Sequence, residues 1–421
     1  MSFAQDAERD IEAVAGQAVA QLLACSHLLP PGDVTGALVA AARPLGVSAA
    51  CIYLSDLRQH QLRPLPGGAS QDPLDIGSTL AGRVYRTVSL HHRPAPEGGG
   101  GHEVWLPLID GTERLGVLEL IAGDVTEPML ARYRTLASLA GLMVVSKSGY
   151  SDTYAQTRRS REMALQAELV WGLLAPRTFA TDRVLITATI EPAYEVGGDA
   201  YDYSLAGDQL HASIFDAAGH DLAAGLLASV GIASYRSTRR AGGGLADIAA
   251  RADAAIASQF GGNRFATALL CELDLVSGQF SWIACGHPPP LLLRRDKVVK
   301  ELVRRPRLPL GMPEPAGVAA DGAAADEADG TVHTERLEPH DRVLLYTDGI
   351  TEARAADGTP FGVERLSDFI NRHSDAGTPA PETLRRLNHA LTEYQQGQQA
   401  DDATIVLLEW MPDHPERILT P

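Results

Sequence analysis

Glu195-Val-Gly-Gly-Asp-Ala-Tyr-Asp202 and, after the next apolar run, Asp216-Ala-Ala-Gly-His220 are the stretches on which the reading of this chain turns. Each puts an acidic side chain where a β-run gives out, beside glycines that let another backbone or an ion come close. Two further acidic punctuation marks lie downstream, Tyr346-Thr-Asp-Gly349 and Asp401-Asp402-Ala-Thr404. Singly, such residues are turn formers, and Asp348-Gly349 is a common turn pair. Together they predict four places that converge on one metal centre.

Carboxylates gathered at one sheet edge would repel one another in a low-dielectric cleft, and cations are the natural compensation. An oxygen-only donor set without Cys or His favours Mg²⁺ or Mn²⁺ over Zn²⁺. Two such ions can lower the pKa of a water and stabilise in-line attack on phosphorus.

The 421 residues exceed one ordinary core, which predicts two domains and a linker. An apolar content of 45% describes a globular chain, and a net charge of −17 argues against nucleic acid and anionic membrane as partners. The basic runs Arg158-Arg159-Ser-Arg161 and Arg304-Arg305-Pro-Arg307 read as solvated faces. Cys25, Cys51, Cys271 and Cys285 form no CxxC pair, a usage that fits a reducing compartment. Residues 13–31 lack formal charge but include Gln17, Gln21, Ser26, His27 and two prolines. Ile11, Val14, Ala18, Leu22 and Cys25 recur at helical spacing, so this is an amphipathic helix and not a membrane span. A cytoplasmic location follows.

Past Pro30-Pro31-Gly32, a second helix is expected over Val34–Leu45 and a strand over Ala49–Leu54. Ser78 is a candidate N-cap for a helix Thr79–Arg86, and His91 to Gly101 reads as a loop. Val104–Ile109 and Leu115–Ile121 flank Asp110-Gly111 as a hairpin, and Thr126 can cap a helix from Glu127-Pro128 to about Lys147. The stretches Asp75-Ile-Gly-Ser-Thr-Leu-Ala-Gly-Arg-Val84 and Val104–Leu120 resemble a GAF domain over about residues 20–148. That resemblance implies a sensor module whose small-molecule ligand is unknown.

From Asp152 to about Ala175 little breaks a helix. Leu165, Leu169 and Leu173 with Met163, Val170 and Trp171 give it a broad apolar face, suited to docking on a domain or pairing with its twin in a homodimer. Beyond Pro176, short β-runs come in hairpin-like succession, with helices in pairs at Leu222–Arg239 and Leu245–Phe260, and again at Val363–Arg372 and Pro381–Gln396. The predicted class is α+β: a GAF-like domain over 1–148, a helical linker over 149–176, and an αββα sandwich of two stacked, mostly antiparallel sheets over 177–412, with a tail at 413–421. Ala316–Gly330, rich in Ala, Asp and Gly, reads as a disordered surface insertion.

Eight stretches, in order, carry a second resemblance. They are Leu173–Arg177, Glu191–Asp202, Phe215–Ala224, Asn263–Ala268, Ala284–Pro290, Leu308–Gly311, Leu344–Glu352 and Asp401–Thr404. Residues 176–410 are similar to the metal-dependent, type 2C-like protein serine/threonine phosphatases, in the bacterial branch typified by SpoIIE and RsbU. The resemblance implies that Asp199 bridges two Mn²⁺ or Mg²⁺ ions. Asp216, the Ala217 carbonyl and Asp401 would complete one site, and Asp348 would hold the second ion. Of the tandem pair, Asp401 aligns with the metal ligand, and Asp402, standing where many relatives have Asn, is the alternative ligand. Gly219 lies in the loop that governs metal binding, and His220 is a candidate proton donor to the leaving oxygen. His287 reads as a turn residue.

Two departures stand out. Gly219-His220-Asp221 replaces the usual Gly-His-Gly, and Asp221 could cap the next helix or alter metal affinity. Tyr194 stands where eukaryotic relatives carry a phosphate-gripping Arg. The implied substrate is a phosphorylated anti-anti-sigma (STAS-domain) protein in a partner-switching pathway. Two other readings stay open: a ligand-sensing binding module, and a phosphatase for small phosphoesters.

Overall fold

The computed structural model describes residues 2–95, 101–123, 125–295, 297–313, 332–375, 378–396 and 401–412. The expected insertion at Ala316–Gly330 and the tail at 413–421 lie outside them. The chain forms two compact units that part between Arg161 and Glu162.

In the first unit the order is α1 (Ser2–Ser26), α2 (Val34–Ala42), β1 (Val47–Ser55), β2 (Gln61–Pro64), β3 (Leu74–Asp75), α3 (Leu80–Thr87), β4 (His91–Pro94), β5 (His102–Asp110), β6 (Glu113–Ala122), α4 (Glu127–Ser148) and α5 (Asp152–Arg158). The strands form one antiparallel sheet in the order β3-β2-β1-β6-β5-β4. Period-2 alternation explains its two faces. Ala50, Ile52 and Leu54 of β1 join a core with Ala18 and Leu22 of α1 and Tyr133 and Leu136 of α4. Cys51 and Tyr53, pointing the other way, pack with Val84 and Tyr85 of α3.

Two local expectations shift. The cap of α3 is Thr79, whose Oγ1 accepts from the Gly82 N–H at 3.0 Å, while Ser78 donates to Asp75 instead. His91–Pro94, expected as loop, is an edge strand, where a proline costs no ladder bond.

The second unit contains α6 (Leu165–Trp171), β7 (Thr178–Ala180), β8 (Val184–Glu191), β9 (Asp199–Ala206), β10 (Gln209–Ala217), α7 (Leu222–Arg240), α8 (Leu245–Phe260), β11 (Ala266–Asp274) and β12 (Gln279–Cys285). It continues with β13 (Leu291–Arg294), β14 (Lys297–Glu301), β15 (His333–Arg336), β16 (Arg342–Tyr346), α9 (Asp348–Thr351), α10 (Gly362–Asp375), α11 (Ala380–Tyr394) and β17 (Ala403–Trp410). Two antiparallel sheets stack, β15-β12-β11-β10-β9 on β14-β13-β16-β17-β8-β7. Ile214, Leu269, Phe280 and Trp282 meet Ile186, Val343, Leu345 and Val406 between them. Helices α6, α7 and α8 cover the outer face of the first sheet through Phe215, Leu270 and Ile283. Helices α10 and α11 cover the second through Leu344, Ile405 and Leu407. This is the four-layer α+β sandwich expected from the hairpin-like β-runs and paired helices.

The linker expectation is corrected: 152–175 is two short helices, α5 and α6, not one. Ser151 caps α5 through Thr153 N–H, and the carbonyls at its end are taken, Arg158 O by Leu57 N–H at 3.2 Å and Thr157 O by Arg63 at 2.8 Å. The second helix starts where Ala164 N–H binds Tyr194 O at 2.9 Å, and its Ala167 and Val170 are buried in the sandwich unit. Each segment is bound within its own unit, and this overrides helix propensity between them. Among the described residues no helix is long and apolar enough to cross a membrane, and all four cysteines are free.

Candidate metal centre

The acidic places meet at one end of the sandwich. Asp199 opens β9 and Asp216 lies near the end of β10, and the two are directly opposed in the antiparallel ladder. Since Ala200, Phe215 and Ala217 point to the helices while Tyr201 and Ile214 point between the sheets, strand alternation turns both carboxylates toward the inter-sheet side. Like charges so placed destabilise a sheet.

From the other sheet, Thr347 follows β16 and Asp348 begins α9; Asp401 and Asp402 lead into β17. Thr347 Oγ1 donates to Asp199 Oδ2 at 2.8 Å and accepts from Thr404 N–H at 2.9 Å, tying the two sheets together through the bridging candidate. Asp402 is buried, and its Oδ2 accepts from the backbone N–H groups of Gly197, Gly198 and Asp199 at 2.8, 2.7 and 3.2 Å. Asp401 is exposed, and one of its oxygens accepts Asp402 N–H at 2.9 Å. The glycines let these segments touch. A Cβ on Gly349 would lie 1.8 Å from Asp402 O, and one on Gly198 would lie 2.5 Å from Ala217 O.

Electrostatics register the crowding. Burial holds the Asp199 carboxyl well above the usual range, with Asp216 and Asp402 adding to the rise and the Thr404 and Thr347 hydroxyls opposing it. Asp216 is pushed up to about 7 by burial, then by Asp348, Asp401 and Asp402. Asp348 is raised by burial, Asp401 and Glu352. Asp402 is raised by burial despite its three N–H donors.

His220 sits apart from this cluster in chemistry, though not in chain. Its ring is exposed, and its carbonyl accepts from Gln166 of α6 at 3.4 Å. Asp221 caps α7, accepting Ala224 N–H at 3.0 Å. His287 is buried, with Nδ1 2.7 Å from the hydroxyl of Thr267, the residue opposite Asp216 on β11. Sequence reasoning missed Thr347 and the anchoring role of Asp402, although Tyr-Thr-Asp-Gly and Asp-Asp-Ala-Thr place both beside residues that it singled out.

The donor chemistry fits hard divalent cations: carboxylates on four segments, pKa values raised first by burial and then by neighbouring carboxylates, and no sulfur or imidazole among them. Among the described residues no three His, Cys, Asp or Glu side chains stand close enough to form a ready cage.

Residues 206–411 match the family model described as Stage II sporulation protein E (SpoIIE). The match takes in Asp216, Asp348, Asp401 and Asp402 and begins after Asp199. The chain is similar to the phosphoserine phosphatase RsbU of Bacillus subtilis (strain 168), 23% identical over 274 residues, which are 62% of this chain and 76% of that protein. It is also similar to Protein IcfG of Synechocystis sp., 25% identical over 253 residues, 52% of this chain and 37% of that one. Among solved structures, the RsbU and RsbW domains of a Mycobacterium tuberculosis protein align with a TM-score of 0.47 at 24% identity, over 56% of this chain and 63% of that one. The chain thus spans little more than a third of IcfG.

Proposed function

We propose that this chain, whose residues 206–411 carry a SpoIIE-family domain, is a metal-dependent protein serine/threonine phosphatase. The observation that carries the reading is the opposition of Asp199 and Asp216, two carboxylates set face to face on adjacent strands and raised in pKa by burial first and by neighbouring carboxylates after it. Asp199 would touch both ions, Asp216, the Ala217 carbonyl and Asp401 would complete one site, and Asp348 would serve the other. Asp402, with one oxygen committed to three backbone N–H groups, fits a fastening role better than a ligand's, and exposed Asp401 fits the ligand's. When bound, Mn²⁺ or Mg²⁺ supplies the positive charge that neutralises the phosphoryl group and activates water. Thr347 fixes the Asp199 carboxyl, and exposed His220 is free to turn toward a docked substrate and protonate the leaving serine oxygen.

The substrate we infer is a phosphoserine protein of the STAS anti-anti-sigma class, by analogy with RsbU. The first unit would act as a GAF-like sensor within a homodimer, bearing on the Gly219 loop through the segment that contains α6. The test is phosphate release from a phosphorylated STAS protein with and without Mn²⁺, by the full chain and its Asp199→Ala and Asp348→Ala variants. Mn²⁺-dependent release lost in both variants supports the reading. Release that survives them, or its absence in the unaltered chain, refutes it and favours a binding module.

A further inference from the structure

The ladder of β10 and β11 ends at Ala217 opposite Ala266, with Ala218 N–H still reaching Phe265 O at 3.1 Å. One step further, Arg264 comes beside Gly219. Its Nη1 lies 3.6 Å from where a Gly219 Cβ would be, three residues along the chain from Asp216. There Arg264 grips Asp221 with both arms, Nη1 to Oδ1 at 2.9 Å and Nη2 to Oδ2 at 2.7 Å. Ala224 N–H, in the first turn of the 19-residue helix α7, donates to the same Oδ1. The Asp221 carboxylate therefore sits in a complete oxyanion seat: a guanidinium fork and a helix N–H converging on two oxygens.

A seat of this shape is not selective for carboxylate. The planar fork matches two phosphoryl oxygens as well as it matches two carboxyl oxygens. Exposed ion pairs contribute little to stability, and Asp221 is 57% and Arg264 33% exposed, so stability is a weak reason for the pair. The location supplies a stronger one, because Arg264 stands against Gly219, three residues along the chain from the candidate metal ligand Asp216. Tyr194, standing where an upstream Arg could have helped, is buried. We propose that Arg264 is the phosphate-gripping residue of this site and that Asp221 is its resident stand-in, displaced by the phosphoryl group of the substrate. The proposal rests on the phosphatase reading for its biological substrate, but not for the calorimetric arm of its test.

The test uses the full chain with Mn²⁺ and inorganic phosphate as the probe, with binding read by calorimetry and, separately, by inhibition of p-nitrophenyl phosphate hydrolysis. Arg264→Ala weakens phosphate about tenfold or more, the usual loss of a charge-assisted pair, and Arg264→Lys restores part of it. Asp221→Asn keeps a good N-cap, frees Arg264 and tightens phosphate several-fold; in the Arg264→Ala background the same change has no effect. Unchanged phosphate affinity in Arg264→Ala overturns the proposal. So does tightening by Asp221→Asn that persists without Arg264, which would be bulk charge alone, and so does an unaltered chain that binds no phosphate. Phosphate binding that behaves as predicted in a chain unable to release phosphate from any phosphoserine protein would leave Arg264 in place and remove the phosphatase reading.

Discussion

Asp199 and Asp216 occupy directly opposed positions on β9 and β10, and Thr347 of the other sheet donates a hydrogen bond to the first of them. Two like charges in cross-strand register are a cost that a fold retains only for a use. Without cations, Asp199→Asn relieves that repulsion and leaves an oxygen for Thr347. We expect it to stabilise the metal-free protein by about 1 kcal/mol, a rise of about 2–4 °C in Tm, while abolishing phosphate release. Calorimetric melting in EDTA checks the first part.

Asp401 and Asp402 separate by burial and bonding. Asp402→Ala strands three backbone N–H groups and costs about 1–3 kcal/mol, seen as a lower denaturation midpoint with or without metal. Asp401→Asn changes stability by less than about 0.5 kcal/mol but weakens Mn²⁺ binding. Reversal of the two phenotypes would exchange their roles.

Protons should compete with cations. Asp216 titrates at about 7 without metal, above its ordinary value of 3.8, so the folded state holds a proton that the unfolded state has lost. Its contribution to metal-free stability is full below about pH 4 and disappears as pH rises through 7. Mn²⁺ binding at pH 7 therefore releases protons, and apparent affinity falls as pH drops below 7. Calorimetry in buffers of different ionisation enthalpy counts the protons, and Asp216→Asn lowers the count.

His287 works in the opposite direction. Burial presses it down to about 3 from 6.5, against a pull upward from the Tyr346 backbone. The unfolded chain therefore takes up a proton that the fold refuses, and stability declines as pH falls from about 6.5 toward 3. The slope is up to about 1.4 kcal/mol per pH unit. Denaturation curves at pH 4 and pH 7 should converge in His287→Gln relative to the unaltered chain.

Much of this was legible in the chain itself. Short β-runs in hairpin-like succession marked the sandwich, and helices Leu222–Arg239 and Leu245–Phe260 fall within a residue of α7 and α8. The strand Asp199–Ala206 was not seen, because Asp-Ala-Tyr-Asp-Tyr-Ser breaks simple apolar alternation. Asp199 and Asp202 are both buried, Asp202 beneath Arg236 and Arg239 at 2.6 and 2.9 Å. The break between α5 and α6 was also hidden, since Leu57 N–H and Arg63 take the last carbonyls of α5 and the Tyr194 carbonyl accepts from Ala164 N–H where α6 begins, and no Gly or Pro marks the place. Asp401 and Asp402 are chemically identical neighbours, and the Gly197, Gly198 and Asp199 amides, some two hundred positions away in sequence, tell them apart. Thr347 belongs to the same class: a hydroxyl next to a singled-out Asp gains meaning only when the second sheet brings it to Asp199.

Counting the ions tests the centre most directly. Titration of the metal-free full chain with Mn²⁺ should show two sites, with both lost in Asp199→Asn and one retained in Asp348→Asn. A chain that binds no Mn²⁺, or an Asp199→Asn variant that binds two ions as before, would contradict the assignment.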